Sequence, residues 1–269
     1  MSASFFGPDS SRLFAIHHPP RVRGDHAKSV LICPPIGQEY LRTHWALRLA
    51  ANQLSRRGCD VLRFDYRGLG DSFGEPQDVV ATDQWAADID AAIDHLKEAS
   101  RAESVMVLGL RAGAALAAEA ARRRGDVHSL VVWEPVINGR DYLRVLRETH
   151  QTMIDLWYQE VATVDDDSYE EILGTLYRRE LLDEVESLEI DLARVEVPQL
   201  VVELEETHSE HDQPSWQKRI RVADEDSWGK LSDLEVAWLR PKTTQVIVNT
   251  IDEMFGRLEQ REMLKGALG

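Results

Sequence analysis

The stretch Ser104–Ala121, SVMVLGLRAGAALAAEAA, constrains the fold of this chain more than any other. Val105–Gly109 is short and apolar, which reads as a buried strand. Gly109-Leu110-Arg111-Ala112-Gly113 then turns sharply, and Ala114–Arg124 continues as an Ala-rich helix. The residue at the tip of such a bend sits in strained backbone, with its side chain pointing off the sheet. Bulk on either flank would strike the strand or the helix. Gly109 and Gly113 leave that space, and Ala112 and Ala114 keep the helix close to the sheet. The helix N-terminus leaves backbone N–H groups beside the tip, and these favour negative charge there. The tip residue is Arg111, whose guanidinium stays protonated and cannot act as a nucleophile.

The rest of the chain supplies partners for this unit. Arg12–His18, Ser29–Cys33, Cys59–Phe64, Ser129–Trp133 and Pro198–Leu204 read as further strands, and Ile220–Ala223 as a short last one. Met1–Gly7 is a loose end or a first edge strand. Leu41–Arg57 reads as a helix with Trp45, Leu47, Leu49 and Leu54 inward, ended by Gly58. Thr82 or Asp83 caps a long helix to about Ser100, with Trp85, Ile89, Ile93 and Leu96 on one face. Leu231–Leu239 and Thr243–Leu264 read as closing helices. Apolar strands alternating with helices predict an α/β fold with a parallel sheet buried on both faces. Asp141–Leu192 breaks the rhythm with helical periods, an acidic turn at Asp165–Asp167 and no convincing strand. It is expected to form a helical cap, which divides the chain into a core of 1–136 and 193–269 and a cap of 137–192.

Composition narrows the class. A chain of 269 residues suits one large domain with an insertion. The net charge of −16 and pI near 5.0 argue against nucleic-acid binding, which depends on neutralising phosphates. Two cysteines, Cys33 and Cys59, sit among apolar strand residues and suggest reduced thiols and a cytoplasmic setting. No apolar run follows a basic start, so no signal peptide is expected. No apolar segment approaches the ~20 residues of a membrane span.

Three stretches together carry a resemblance. Cys33-Pro34-Pro35-Ile36-Gly37 follows a strand, Asp65-Tyr66-Arg67-Gly68-Leu69-Gly70-Asp71-Ser72 follows another, and Gly109–Gly113 follows a third. In this order and at strand ends, they resemble the α/β-hydrolase superfamily, whose nucleophile elbow is a strand, a G-x-S-x-G turn and a helix. PPIGQEY, FDYRGLGDS, GLRAGAALA and WEPVINGRDYLR are similar to the hydrolase-like proteins associated with exosortase A gene clusters. That resemblance implies an α/β-hydrolase fold, with Arg as the group's normal elbow residue. It also implies that Ile36, Gly37 and Ala112 supply oxyanion-hole N–H groups.

Arg111 has two readings. Together with the helix N-terminus, it would hold a carboxylate, a phosphate or a thioester-linked acid at the ligand end of the sheet. Alternatively, Glu134, Glu203 or Asp212 neutralises it internally, since a buried unpaired Arg is too costly. A hydrolase His is expected after the last strand, but Ala223–Lys230 contains none. The nearest are His208 and His211, followed by Asp212. They are candidates for activating water, and less often for binding a metal with Glu205 or Glu206. No metal or cofactor is expected. Cys33 reads as a small buried hydrophobe, Ser72 as a turn cap and Arg122-Arg123-Arg124 as a solvated helix end. Tyr142, Trp157 and Tyr158 either line an apolar pocket or form the cap's own core.

Two functions follow as expectations. One is an acyl, ester or thioester hydrolase or acyltransferase with a non-standard site. Arg111 and the N–H groups of Gly37 and Ala112 would stabilise its oxyanion, in an open pocket that His208 or His211 enters. The other is a pseudo-hydrolase that binds an anionic small molecule or a partner protein through Arg111. A homodimer is compatible with either.

Overall fold

The computed structural model describes residues 1–22, 24, 27–157, 166–204, 216–223 and 240–268. Its strands are β1 (Ser2–Phe6), β2 (Leu13–His18), β3 (Lys28–Cys33), β4 (Cys59–Phe64), β5 (Val105–Leu110), β6 (Val127–Trp133), β7 (Tyr169–Ile172), β8 (Thr175–Arg178), β9 (Gln199–Leu204) and β10 (Gln217–Val222). Its helices are α1 (Gly37–Arg56), α2 (Thr82–Ser100), α3 (Ala112–Arg123), α4 (Gly139–Trp157), α5 (Arg179–Ser187) and α6 (Pro241–Leu268). Eight strands form one sheet in the order β1-β2-β4-β3-β5-β6-β9-β10. From β4 to β10 all pairs are parallel, and β2 joins β4 and β1 antiparallel.

The alternation of side chains along each strand builds two cores. Leu31, Leu62, Val107 and Val132 face α2 and α3, where Trp85, Ile89, Ile93 and Leu96 meet them. Val30, Ile32, Val61, Leu108 and Val131 face α1 and α6, where Leu47, Leu54, Ile247 and Ile251 close the layer. All six residues of the elbow strand β5 are buried. Burying each such Val or Leu side chain is worth roughly 1.5–3 kcal/mol.

Several boundaries differ from expectation. Helix α1 begins at Gly37, not Leu41, so Glu39 and Tyr40 lie in its first turn. Trp45 is exposed on that helix instead of packing inward. The N-cap of α2 is Ala81, and the Gln84 side chain reaches back to the Val80 and Ala81 N–H groups. The segment after β6 is not purely helical. A hairpin, β7–β8, sits between α4 and α5. Leu173 and Gly174 turn it with φ of 52° and 78°, the pair of positive values a two-residue primed turn requires. Residues 231–239, the acid Asp165 and Tyr158 lie outside the described residues.

At the β2–β4 end of the sheet, buried His18 reports on acid stability. Its Nδ1 meets Asn52 Oδ1 at 3.1 Å, and Arg63 Nε donates to its Nε2 at 3.3 Å. This network assigns the neutral ring with its proton on Nδ1. Burial, and then the Arg63 charge, push its pKa down to about 4. The unfolded chain therefore binds the extra proton first, between about pH 6.5 and 4. Stability from this group is complete above that window and is lost as pH falls through it, by on the order of 3 kcal/mol. Urea midpoints measured across the window should fall less steeply, by about one proton, in His18→Gln than in wild type.

Candidate functional site

The elbow is held by close backbone approaches. A Cβ on Gly109 would come within 2.5 Å of Ala114 Cα, and one on Gly113 would overlap the carbonyl oxygen of Pro34. Both glycines are therefore required for α3 to pack against β5 and the loop after β3. Arg111 sits at the tip with φ 54° and ψ −124°, a conformation that costs on the order of 1–3 kcal/mol. The surrounding sheet enforces it. Arg111 N donates to Trp133 O at 3.0 Å, and Arg111 O accepts from Ala114 N at 2.9 Å and Val136 N at 3.3 Å.

The Arg111 side chain turns toward α1. Its Nε donates to Glu39 Oε1 at 2.9 Å, and Tyr142 Oη donates to Glu39 Oε2 at 3.0 Å. The guanidinium carbon lies 5.6 Å from the centre of the Tyr142 ring. The side chains of Arg111 and Glu39 are only 16% and 7% exposed. Burial is the largest influence and acts to lower the Arg111 pKa, but the Glu39 and Tyr142 charges, the Glu39 hydrogen bond and the Glu134 charge together outweigh it and hold the group above its ordinary value. Burial and the Glu39 charge together drive the Tyr142 phenol well above its usual range, so it stays a donor. Glu39 is placed by the first turn of α1, where a helix N-terminus favours a carboxylate.

This corrects the expected partners of Arg111. Glu39 is its ion-pair partner among the described residues, not Glu203, which pairs with Arg219 on β10. Glu134 is buried beside the elbow at φ 47°, and its charge also helps to hold the Arg111 pKa up. Asp212, His208 and His211 lie outside the described residues.

Tyrosines crowd the elbow's flank among the described residues. The Tyr177 hydroxyl from β8 rests against Gly37, where any Cβ would overlap it. Ile36, Trp85, Tyr142, Leu146, Tyr177 and Leu181 converge on a cavity of about 10 Å³, at the lower limit for one water. Among the described residues, side chains of α4, β8 and α5 pack beside the elbow through Tyr142, Tyr177 and Leu181. Gly37 and Ala112 are the first residues of α1 and α3, so their N–H groups have no intrahelical acceptor.

The remaining candidates resolve into structural roles. Cys33 is fully buried, and burial pushes its thiol pKa up, which disfavours the thiolate. Ser72 Oγ donates to Asp65 O at 2.6 Å and accepts from Phe14 N at 2.8 Å, tying the glycine-rich loop to β2. Arg122, Arg123 and Arg124 pair with Glu119, Asp90, Asp94 and Asp126. The sequence singles out neither Glu39 nor Tyr177. The one available signal for Glu39 is an acid two residues after Gly37, where a helix could start.

Comparison with known proteins adds the family. A family model described as serine aminopeptidase, S33, matches residues 24–167, more than half of the chain. The chain belongs to the serine aminopeptidase S33 family. No curated protein matches it in sequence. Est1E from Butyrivibrio proteoclasticus, solved with ferulic acid, superposes with a TM-score of 0.63 at 14% identity, covering 97% of this chain and 100% of that one. Proline iminopeptidase from Mycobacterium smegmatis gives 0.57 at 15% identity, covering 94% and 98%. The thioesterase domain from the curacin biosynthetic pathway gives 0.56 at 14% identity, covering 93% and 98%. These likenesses show that this S33 family member has the α/β-hydrolase fold. No helix among its described residues is long and apolar enough to cross a membrane.

Proposed function

We propose that this S33 family member is a pseudo-hydrolase, hydrolase-like in fold and elbow but without serine hydrolysis at the elbow. One observation carries the reading: the tip residue Arg111 is committed to Glu39, with Tyr142 completing the carboxylate's hydrogen bonds. A guanidinium offers no nucleophile, and Tyr142 crowds it from the side. Arg111 and Tyr142 already hold a carboxylate, so the elbow is an anion-holding site occupied from within. Its role is to bind. An anionic small molecule or an acidic segment of a partner protein would replace Glu39, and the segment from α4 to α5 would open to admit it.

Turnover of short and medium p-nitrophenyl esters tests this reading. Wild type and Arg111→Ser should both remain at the buffer rate, because a serine at the tip is still crowded from the side by Tyr142. Turnover by the wild-type protein above that rate contradicts it.

A second reading is favoured by the family match and by the N–H groups at the starts of α1 and α3. In it, the protein is an acyl, ester or thioester hydrolase with a rearranged centre. Arg111, Gly37 and Ala112 stabilise the oxyanion, and His208, His211 or Asp212 activates water. It requires ester turnover that His208→Ala or His211→Ala abolishes.

A further inference from the structure

The sheet has two unlike edges. β10 carries Lys218, Arg219 and Arg221 within six residues, the kind of charged edge that discourages pairing with another chain. β1 carries no charge. Residues 1–8 contain no charged side chain at all, and the first acid, Asp9, is ion-paired to Arg12. Ser2–Phe5 are exposed, and among the described residues only β2 pairs with this strand. The register Ser4↔Ala15 and Phe5↔Phe14 puts Met1, Ala3 and Phe5 on one face with Phe14 and Ile16. Met1 and Phe5 are 68% and 54% exposed there, with Phe5 edge-on to Phe14 at 5.4 Å. Exposed Leu41 and Trp45 of α1 stand on the same side of the sheet, and Leu41 shares a groove with Met1, Phe14 and Ile16 whose far wall is charged, with Arg48, Arg63, Asp65 and Asp71. Exposed Phe73 flanks Phe5 from the glycine-rich loop.

Charge says which partner suits this edge. A chain of net charge −16 repels its own copies over most of its surface. The neutral β1 strand is a place where two copies can meet without that penalty. It is also self-complementary. Paired antiparallel with itself about Ala3, Met1 faces the partner's Phe5 and Ser2 faces the partner's Ser4. Both Met–Phe pairs then fall on the apolar face, where a thioether packs well on a ring. The small Ala3 lies on the axis, and no like charges stand opposite.

We propose that β1 pairs antiparallel with β1 of a second copy, with Ala3 on the two-fold axis, so that one continuous sheet runs through a homodimer. The contact is isologous, so it closes at two copies and leaves no free β1 edge. It is independent of the elbow and does not rest on its proposed role.

Light scattering on the full chain from low to high micromolar concentration tests this, alongside two variants. Wild type should be a dimer. Ala3→Glu sets two like charges opposite each other across the axis and should be a monomer with unchanged circular dichroism. Ala3→Cys should cross-link to a covalent dimer under mild oxidation, because directly opposed Cβ atoms lie about 4.5–5.5 Å apart in such a pair. Cys33 and Cys59 are buried and should not contribute. A monomeric wild type, a dimer unaffected by Ala3→Glu, or a dimer in which Ala3→Cys fails to cross-link overturns the proposal.

Discussion

Arg111→Ala is expected to destabilise the protein by about 3–5 kcal/mol, the cost of breaking a buried ion pair from one side. The substitution leaves the Glu39 carboxylate enclosed with Tyr142 as its remaining donor at this site. It also leaves the strained tip in place, because alanine has no easier access to φ near 54° than arginine. The sign of the double variant is the informative part. Arg111→Leu with Glu39→Leu should lose less than Arg111→Leu alone, since no charge is then left buried. Urea unfolding of the two single variants and the double variant gives the coupling directly. Coupling near zero would mean that the two side chains are not partners in solution.

The second large effect lies at Asp88. Its side chain is almost fully buried on α2, yet it serves the glycine-rich loop after β4. Oδ1 accepts from Arg67 Nε at 2.9 Å and Nη2 at 2.6 Å, and Oδ2 accepts from the Arg67 backbone N at 2.9 Å. Trp85 Nε1 donates to Arg67 O at 3.3 Å, so the same residue is fixed at both of its backbone ends. Burial raises the Asp88 pKa, and the Arg67 hydrogen bonds work against that rise. Asp88→Ala should cost about 3 kcal/mol, the lower end for a broken buried pair, because Arg67 is 25% exposed and can regain some water. The control is Glu119→Ala on the surface of α3, where solvent screens a half-exposed pair and the loss should be far smaller. A similar loss in both variants would show that burial does not set the difference.

The sequence makes the sheet legible because its strands are apolar throughout and its punctuation is sharp. Gly109, Gly113 and the alanines around them announce the β5–α3 turn before any coordinates, and the close approaches at both glycines bear that out. The β7–β8 hairpin was not legible. Its strands, YEEI and TLYR, are four residues each and lie between two amphipathic helices. Leu173-Gly174 was the one available cue. The partner of Arg111 was hidden for a different reason. Acids late in the chain were the natural candidates because they follow strands at the same end of the sheet. Glu39 instead reaches Arg111 from 72 residues upstream. Only the start of α1 at Gly37, four residues earlier than the apolar pattern suggests, turns its side chain toward the elbow. The sequence leaves Tyr142 open between pocket lining and core, and in the structure it is buried and hydrogen-bonded to Glu39 beside Arg111.

Intact-mass analysis after treatment with a fluorophosphonate probe tests the central claim most directly, because the probe reports an activated serine wherever the chain holds one. The Arg111–Glu39–Tyr142 arrangement predicts no mass gain on the wild-type protein. A stoichiometric gain that maps to one serine, with ester turnover that disappears when that serine is replaced, would contradict it and place a working nucleophile away from the elbow.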